Sequence, residues 1–178
     1  MRSIPPLFIS AALAIAPCAA LAEPCKEPGL EAVATEHPEC RYYAGTRLYR
    51  ERDYVGARLN WEYVLASEDD DKDVQKLRTD VRNNLGYLLY MGMGIKVNRT
   101  KAIELWETAA RSGQEESAYH LCHALGDAKQ PEYRPRAALP HCREALRRYQ
   151  GLPIAKRDSN TEVIIQDLKR YIARLGDT

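Results

Sequence analysis

The feature that most constrains this chain lies in its second half. The run Asn84-Leu85-Gly86-Tyr87-Leu88-Leu89-Tyr90-Met91-Gly92-Met93-Gly94 is followed by Lys101-Ala102-Ile103-Glu104-Leu105-Trp106-Glu107-Thr108-Ala109-Ala110 and then Gly113. Small residues stand where two antiparallel helices must touch, and large ones where they must interlock. Such a unit buries its apolar face by stacking on neighbours, which predicts a helical solenoid. Solenoids expose extended surfaces, so the pattern points to binding a partner before it points to a reaction.

The rest of the chain agrees with an all-helical fold. Alanine, leucine, arginine and glutamate dominate, and no alternating β-branched run is present. Pattern and punctuation predict helices over 41–50, 57–65, 74–91, 100–111, 115–125 and 136–149. Pro38 is expected in the first turn of the first helix. Asn98 is expected to cap the fourth, and Gly113 to end it. Gly92 and Gly94 turn the chain. Gly151 and Pro153 break it again, and Ser159-Asn160-Thr161 is expected to cap a last helix. In that helix Val163, Ile164, Leu168, Tyr171, Ile172 and Leu175 share one broad face, suited to sealing the open end of a stack.

The first residues read as an export signal. Arg2 gives a positive start, residues 7–16 form an apolar run too short to span a bilayer, and Ala20-Leu21-Ala22 is a small-x-small cleavage site. The expected divisions are a signal peptide over 1–22, an N-terminal segment over 23–39, repeats over 40–150 and a capping segment over 151–178. The mature protein is expected in the periplasm or secreted, without a membrane-spanning segment. Net charge is +1. The acidic knot Glu68-Asp69-Asp70-Asp71 and the basic residues Arg143, Arg147, Arg148, Lys156, Arg157, Lys169, Arg170 and Arg174 are read as solvated faces, and no nucleic-acid partner is expected.

Cleavage would remove Cys18 and leave Cys25, Cys40, Cys122 and Cys142. An even number in an exported chain points to disulfides, with three connectivities open. His120, Cys122, His123, His141 and Cys142 also form a zinc- or copper-type donor set. Adjacent helical residues diverge by about 100°, however, so these donors do not converge easily. No metal or other cofactor is expected. Gly-x-Ser-x-Gly, His-Glu-x-x-His and Cys-x-x-Cys are absent. Residues 91–94 follow a helix rather than a strand, so they read as a turn and not a phosphate loop. No catalytic residue is assigned, and no enzyme is expected.

The middle hairpin resembles the Sel-one-like repeat, a branch of the tetratricopeptide-type repeats. The likeness rests on Leu85-Gly86, Leu89-Tyr90, Gly92, Gly94, Lys101-Ala102, Trp106, Ala109-Ala110, Gly113 and Ala118. The first hairpin is similar to a tetratricopeptide unit through Ala44-Gly45, Leu48, Asp53-Tyr54, Ala57 and Trp61. The third is degenerate: Ala118, Leu121, Leu125, Ala138 and Ala145 fit, Cys122 replaces the usual glycine, and Cys142 the usual aromatic. The resemblance implies an α–α superhelix, a right-handed solenoid of about three hairpins with a C-terminal capping helix. It also implies that Cys122 and Cys142 face one another and pair, which leaves Cys25 for Cys40. The doubled pairing resembles the cysteine-rich secreted branch, some of whose members are hydrolases; no paired carboxylates or nucleophile–base pair support that activity here.

In repeats of this type the first helix of each pair lines the concave groove. Helical spacing then places Tyr42, Thr46, Tyr49 and Arg50, then Asn83, Tyr87 and Tyr90, then Tyr119 and His123 along it. Tyrosine supplies a rigid apolar face with a polar tip, suited to peptide or glycan. Packing against neighbouring helices is the competing role for the same rings. The expected function is a protein-interaction scaffold in the cell envelope with a protein or peptide partner, the alternative being an adaptor that binds peptidoglycan or a saccharide.

Overall fold

The computed structural model describes residues 37–68 and 71–176, and no strand occurs among them. Seven helices follow in order: α1 (Pro38–Arg50), α2 (Tyr54–Ala66), α3 (Lys72–Met91), α4 (Arg99–Arg111), α5 (Glu115–Gly126), α6 (Pro135–Gly151) and α7 (Ser159–Gly176). A short 3-10 turn, Ile154–Lys156, precedes α7. The starts are chemically determined. Pro38 and Pro135 occupy the first turns of α1 and α6, where a missing N–H costs nothing. Asp53 accepts from the Gly56 amide at 2.9 Å, and Asn98 accepts from the Lys101 amide at 3.0 Å. Gly92 ends α3 in the left-handed region at φ 74°. The cap of α7 differs from expectation. Ser159 already belongs to the helix, and Asp158 caps it, accepting from the Thr161 amide at 2.8 Å.

Helices pair as α1 with α2, α3 with α4 and α5 with α6, and each hairpin leans on the next through α2–α3 and α4–α5. Helix α7 packs on α6 and touches α5, as α3 packs on α2 and touches α1. It therefore stands where the first helix of a fourth hairpin would stand. The molecule is an α–α hairpin stack with a closing helix, the architecture expected from the repeat pattern.

The same lock recurs at the centre of the first two hairpins. Trp61 and Trp106 each lie seven residues into their helix and are 1% and 2% exposed. The pyrrole end of each indole sits against a glycine of the partner helix: a Cβ on Gly45 would meet Trp61 at 2.6 Å, and one on Gly86 would meet Trp106 at 2.5 Å. Each indole N–H also donates to the carbonyl three residues before that glycine, Tyr42 at 3.4 Å and Asn83 at 3.1 Å. In the third hairpin Cys142 holds the tryptophan's place, seven residues into α6. It is bonded to Cys122, with Cα atoms 4.7 Å apart and both side chains fully buried. A covalent bond takes the place of the ring-on-glycine contact, as the two substitutions imply. The expected Cys25–Cys40 pair involves Cys25, which lies outside the described residues, as do the signal segment and residues 69 and 70 of the acidic knot.

Two apolar cores result. Ala57, Trp61, Val64, Val81, Leu85 and Leu88 join the first hairpin to α3. A larger core around Trp106, Leu121, Leu125, Ala138, Ala145 and Leu168 joins α4, α5, α6 and α7. Arg78 is buried and donates to the carbonyls of Val64 and Ser67, satisfying groups left open at the end of α2. No helix among the described residues is long and apolar enough to cross a membrane.

Candidate binding groove

A cavity of about 550 Å³ opens along the first helices of the three hairpins. Tyr49 of α1, Asn83, Asn84 and Tyr87 of α3, and Glu116, Tyr119, His120 and His123 of α5 line it. Five of the nine side chains expected in a groove therefore converge: Tyr49, Asn83, Tyr87, Tyr119 and His123. The other four do not line it. Thr46 turns its hydroxyl to the Tyr42 carbonyl at 2.9 Å, and the Tyr42 ring meets Tyr43 edge-on. Arg50 is exposed and does not line the cavity. Tyr90 lies against Trp106 at 5.2 Å, with the Arg99 guanidinium over its ring. Tyr42 and Tyr90 thus both lie in contact with neighbouring side chains.

The floor is a polar network rather than a row of open side chains. Asn83 is 2% exposed. Its Nδ2 donates to Glu116 Oε2 at 2.8 Å, and its Oδ1 accepts from the Ser117 hydroxyl at 2.8 Å. Gln114 of α5's N-cap likewise donates to Asp80 of α3 at 3.1 Å. Together these bonds fix the spacing of α3 and α5 across the cavity. Asn83 is engaged at both ends and buried, whereas half-buried Asn84 is the carboxamide of α3 more open to a ligand.

The imidazoles are held by rings. His120 stacks on Trp106 at 4.8 Å and 28°, and lies 5.5 Å from Tyr87. Burial pushes its pKa down to about 4, with neighbouring His123 adding to the shift, so the ring is neutral at neutral pH. His123 sits between Tyr119 at 4.4 Å and Tyr171 at 4.3 Å. Its Nε2 lies 2.7 Å from Asp167 Oδ2, a close contact poorly aligned for a straight hydrogen bond. Burial lowers its pKa, and Asp167 opposes the shift. The same carboxylate receives the Tyr119 hydroxyl at 3.4 Å; burial, then Asp167, pushes that phenol up to about 12. Burial likewise raises the Glu116 carboxyl, Asn83 opposes it, and Glu115 and Asp80 add to it.

Among the described residues no three His, Cys, Asp or Glu side chains converge to hold a metal ion. Cys122 and Cys142 are consumed by their bond, and His120 is turned onto Trp106.

Asn84, Glu116 and His120 were not among the residues placed in the groove by spacing. Glu116 and His120 extend the Tyr119–His123 stripe at one-turn steps within the helix predicted over 115–125, so helical spacing could have drawn them in. Asp167 carries no such signal, because it arrives on α7. Fold and site together define a class, an α–α hairpin stack with an aromatic, polar groove along its first helices. Within that class likeness takes the chain no further: no protein-family model, curated protein or solved structure matches it.

Proposed function

We propose that this protein is an exported helical-repeat scaffold of the Sel-one-like and tetratricopeptide kind, a binding module rather than an enzyme. Its groove docks an extended segment of a partner protein of the cell envelope. The observation that carries this reading is the continuity of the cavity across α1, α3 and α5. Equivalent surfaces of successive repeats present one lined path, which suits a chain-like ligand. Asn84 offers both a donor and an acceptor, matching a peptide unit, and Tyr49 and Tyr87 offer flat apolar contact. A saccharide such as peptidoglycan is the alternative occupant, favoured by tyrosine faces beside carboxamides.

A photo-crosslinking residue placed at Asn84, with a control at exposed Glu104 on α4, tests the reading in the oxidising envelope. The expected result is a discrete protein adduct from position 84 and none from position 104. Adducts to the cell wall alone would replace the peptide by the saccharide. Equal labelling from both positions would remove the groove from the account. Export is checked by intact mass: the secreted protein should begin at Glu23 and gain four protons on reduction.

A further inference from the structure

The groove has one sign of charge. None of its eight lining residues is lysine or arginine, and its one carboxylate is Glu116. That side chain is about half exposed, at 53%. Its Oε2 is held by Asn83, while its Oε1 stands 3.9 Å from His120 Nε2, beyond hydrogen-bond length. One carboxylate oxygen is thus anchored, and the other makes no hydrogen bond to His120. Two further acids lie behind the lining. Asp80 of α3 stands close enough to act on Glu116 electrostatically, with Lys76 acting on Asp80 in turn, and Asp167 of α7, paired with Arg170 at 3.3 Å, closes the far end behind Tyr119 and His123. Both imidazoles are neutral at neutral pH, so they cancel none of this charge. Tyr49, Tyr87 and Tyr119 add ring faces, which carry negative potential.

A half-exposed carboxylate anchored between aromatic faces, with no cation in the lining, is complementary to a cationic side chain. We propose that the docked segment carries a lysine or arginine, and that its cation seats between the Glu116 carboxylate and the rings of Tyr49 and Tyr87. This rests on the reading of the groove as a peptide-docking site and adds the chemistry of the partner. An acidic segment would meet Glu116 with no cation in the lining and is disfavoured.

Three acetylated, amidated nonapeptide libraries with the same degenerate flanks, and lysine, norleucine or glutamate at the centre, test the inference by calorimetric titration of the oxidised protein. The lysine library should bind about tenfold more tightly than the norleucine library, and the glutamate library should not bind. Glu116→Gln keeps an acceptor for Asn83 and removes the charge. It should bring lysine binding down to the norleucine level. Asp80→Asn, which keeps the acceptor for Gln114, should weaken lysine binding about two- to threefold and serves if the first variant does not fold. Equal binding of the lysine and norleucine libraries, or a lysine preference that survives both variants, would overturn the inference while leaving peptide docking in place. Failure of every library to bind, with or without capture by purified sacculi, would overturn both.

Discussion

Gly45 and Gly86 have no room for a methyl group, because an indole occupies it. Alanine at either position should cost about 2–3 kcal/mol, the upper end of ordinary overpacking, since a backbone-anchored ring must move. A Cβ on Gly151 would meet nothing within 4 Å, and this glycine lies at a helix end. Gly151→Ala should therefore leave stability unchanged or raise it slightly. Urea denaturation of the three variants checks the contrast, and equal losses would remove the ring-on-glycine explanation. His120 supplies the second residue-level expectation. Its folded pKa of about 4 lies below the ordinary 6.5, so the unfolded chain takes up the proton first. The stability due to its neutral, buried ring is complete above pH 6.5 and is lost as pH falls from 6.5 towards 4, on the order of 3 kcal/mol in all. His123 acts in the same direction. An NMR titration should give His120 a midpoint near 4, and a midpoint near 6.5 would refute the stacked, dry environment.

Among the elements, the third hairpin is the one whose integrity depends on chemistry rather than shape. With a separation of 20 residues, the Cys122–Cys142 bond contributes about 3 kcal/mol by restricting the unfolded chain. Cys122→Ala with Cys142→Ala should lower stability by about that amount and loosen α5 against α6 before the first two hairpins respond. Hydrogen exchange resolved by helix reads this directly, and uniform loss across all seven helices would contradict it. The same hairpin shows most clearly how sequence encodes the fold. Its glycine and tryptophan are missing, yet the positions of their replacements disclose the bond, because only a short link fits where an indole would face a glycine. The helices themselves are legible to within a few residues, since caps and turn glycines are local. The groove is legible in part. Helical spacing places Tyr49, Tyr87, Tyr119 and His123 on one side, but it cannot tell that Tyr90 is drawn onto Trp106. Nor can it bring Asp167 to His123, because that contact joins residues 44 apart through the docking of α7.

At the scale of the whole molecule, α7 both closes the larger core and builds one end of the groove. Leu168 is fully buried, and Leu175 and Tyr171 pack over Gly126 at the end of α5. Leu168→Ala should cost about 3 kcal/mol in urea denaturation. It should also shift the Tyr119 and His123 resonances through Asp167; a stability loss without those shifts would separate the cap from the site. The repeated ring-on-glycine lock has a further, optical meaning. The chain has two tryptophans, one in each of the first two hairpins, and each is sealed from water by a different pair of helices. Replacing one indole by phenylalanine leaves an emission signal that belongs to a single repeat, so the protein carries its own pair of addressable fluorophores. Trp106 lies face to face with His120, an imidazole whose protonated form quenches indoles, and its brightness should therefore dim as that one histidine takes up a proton.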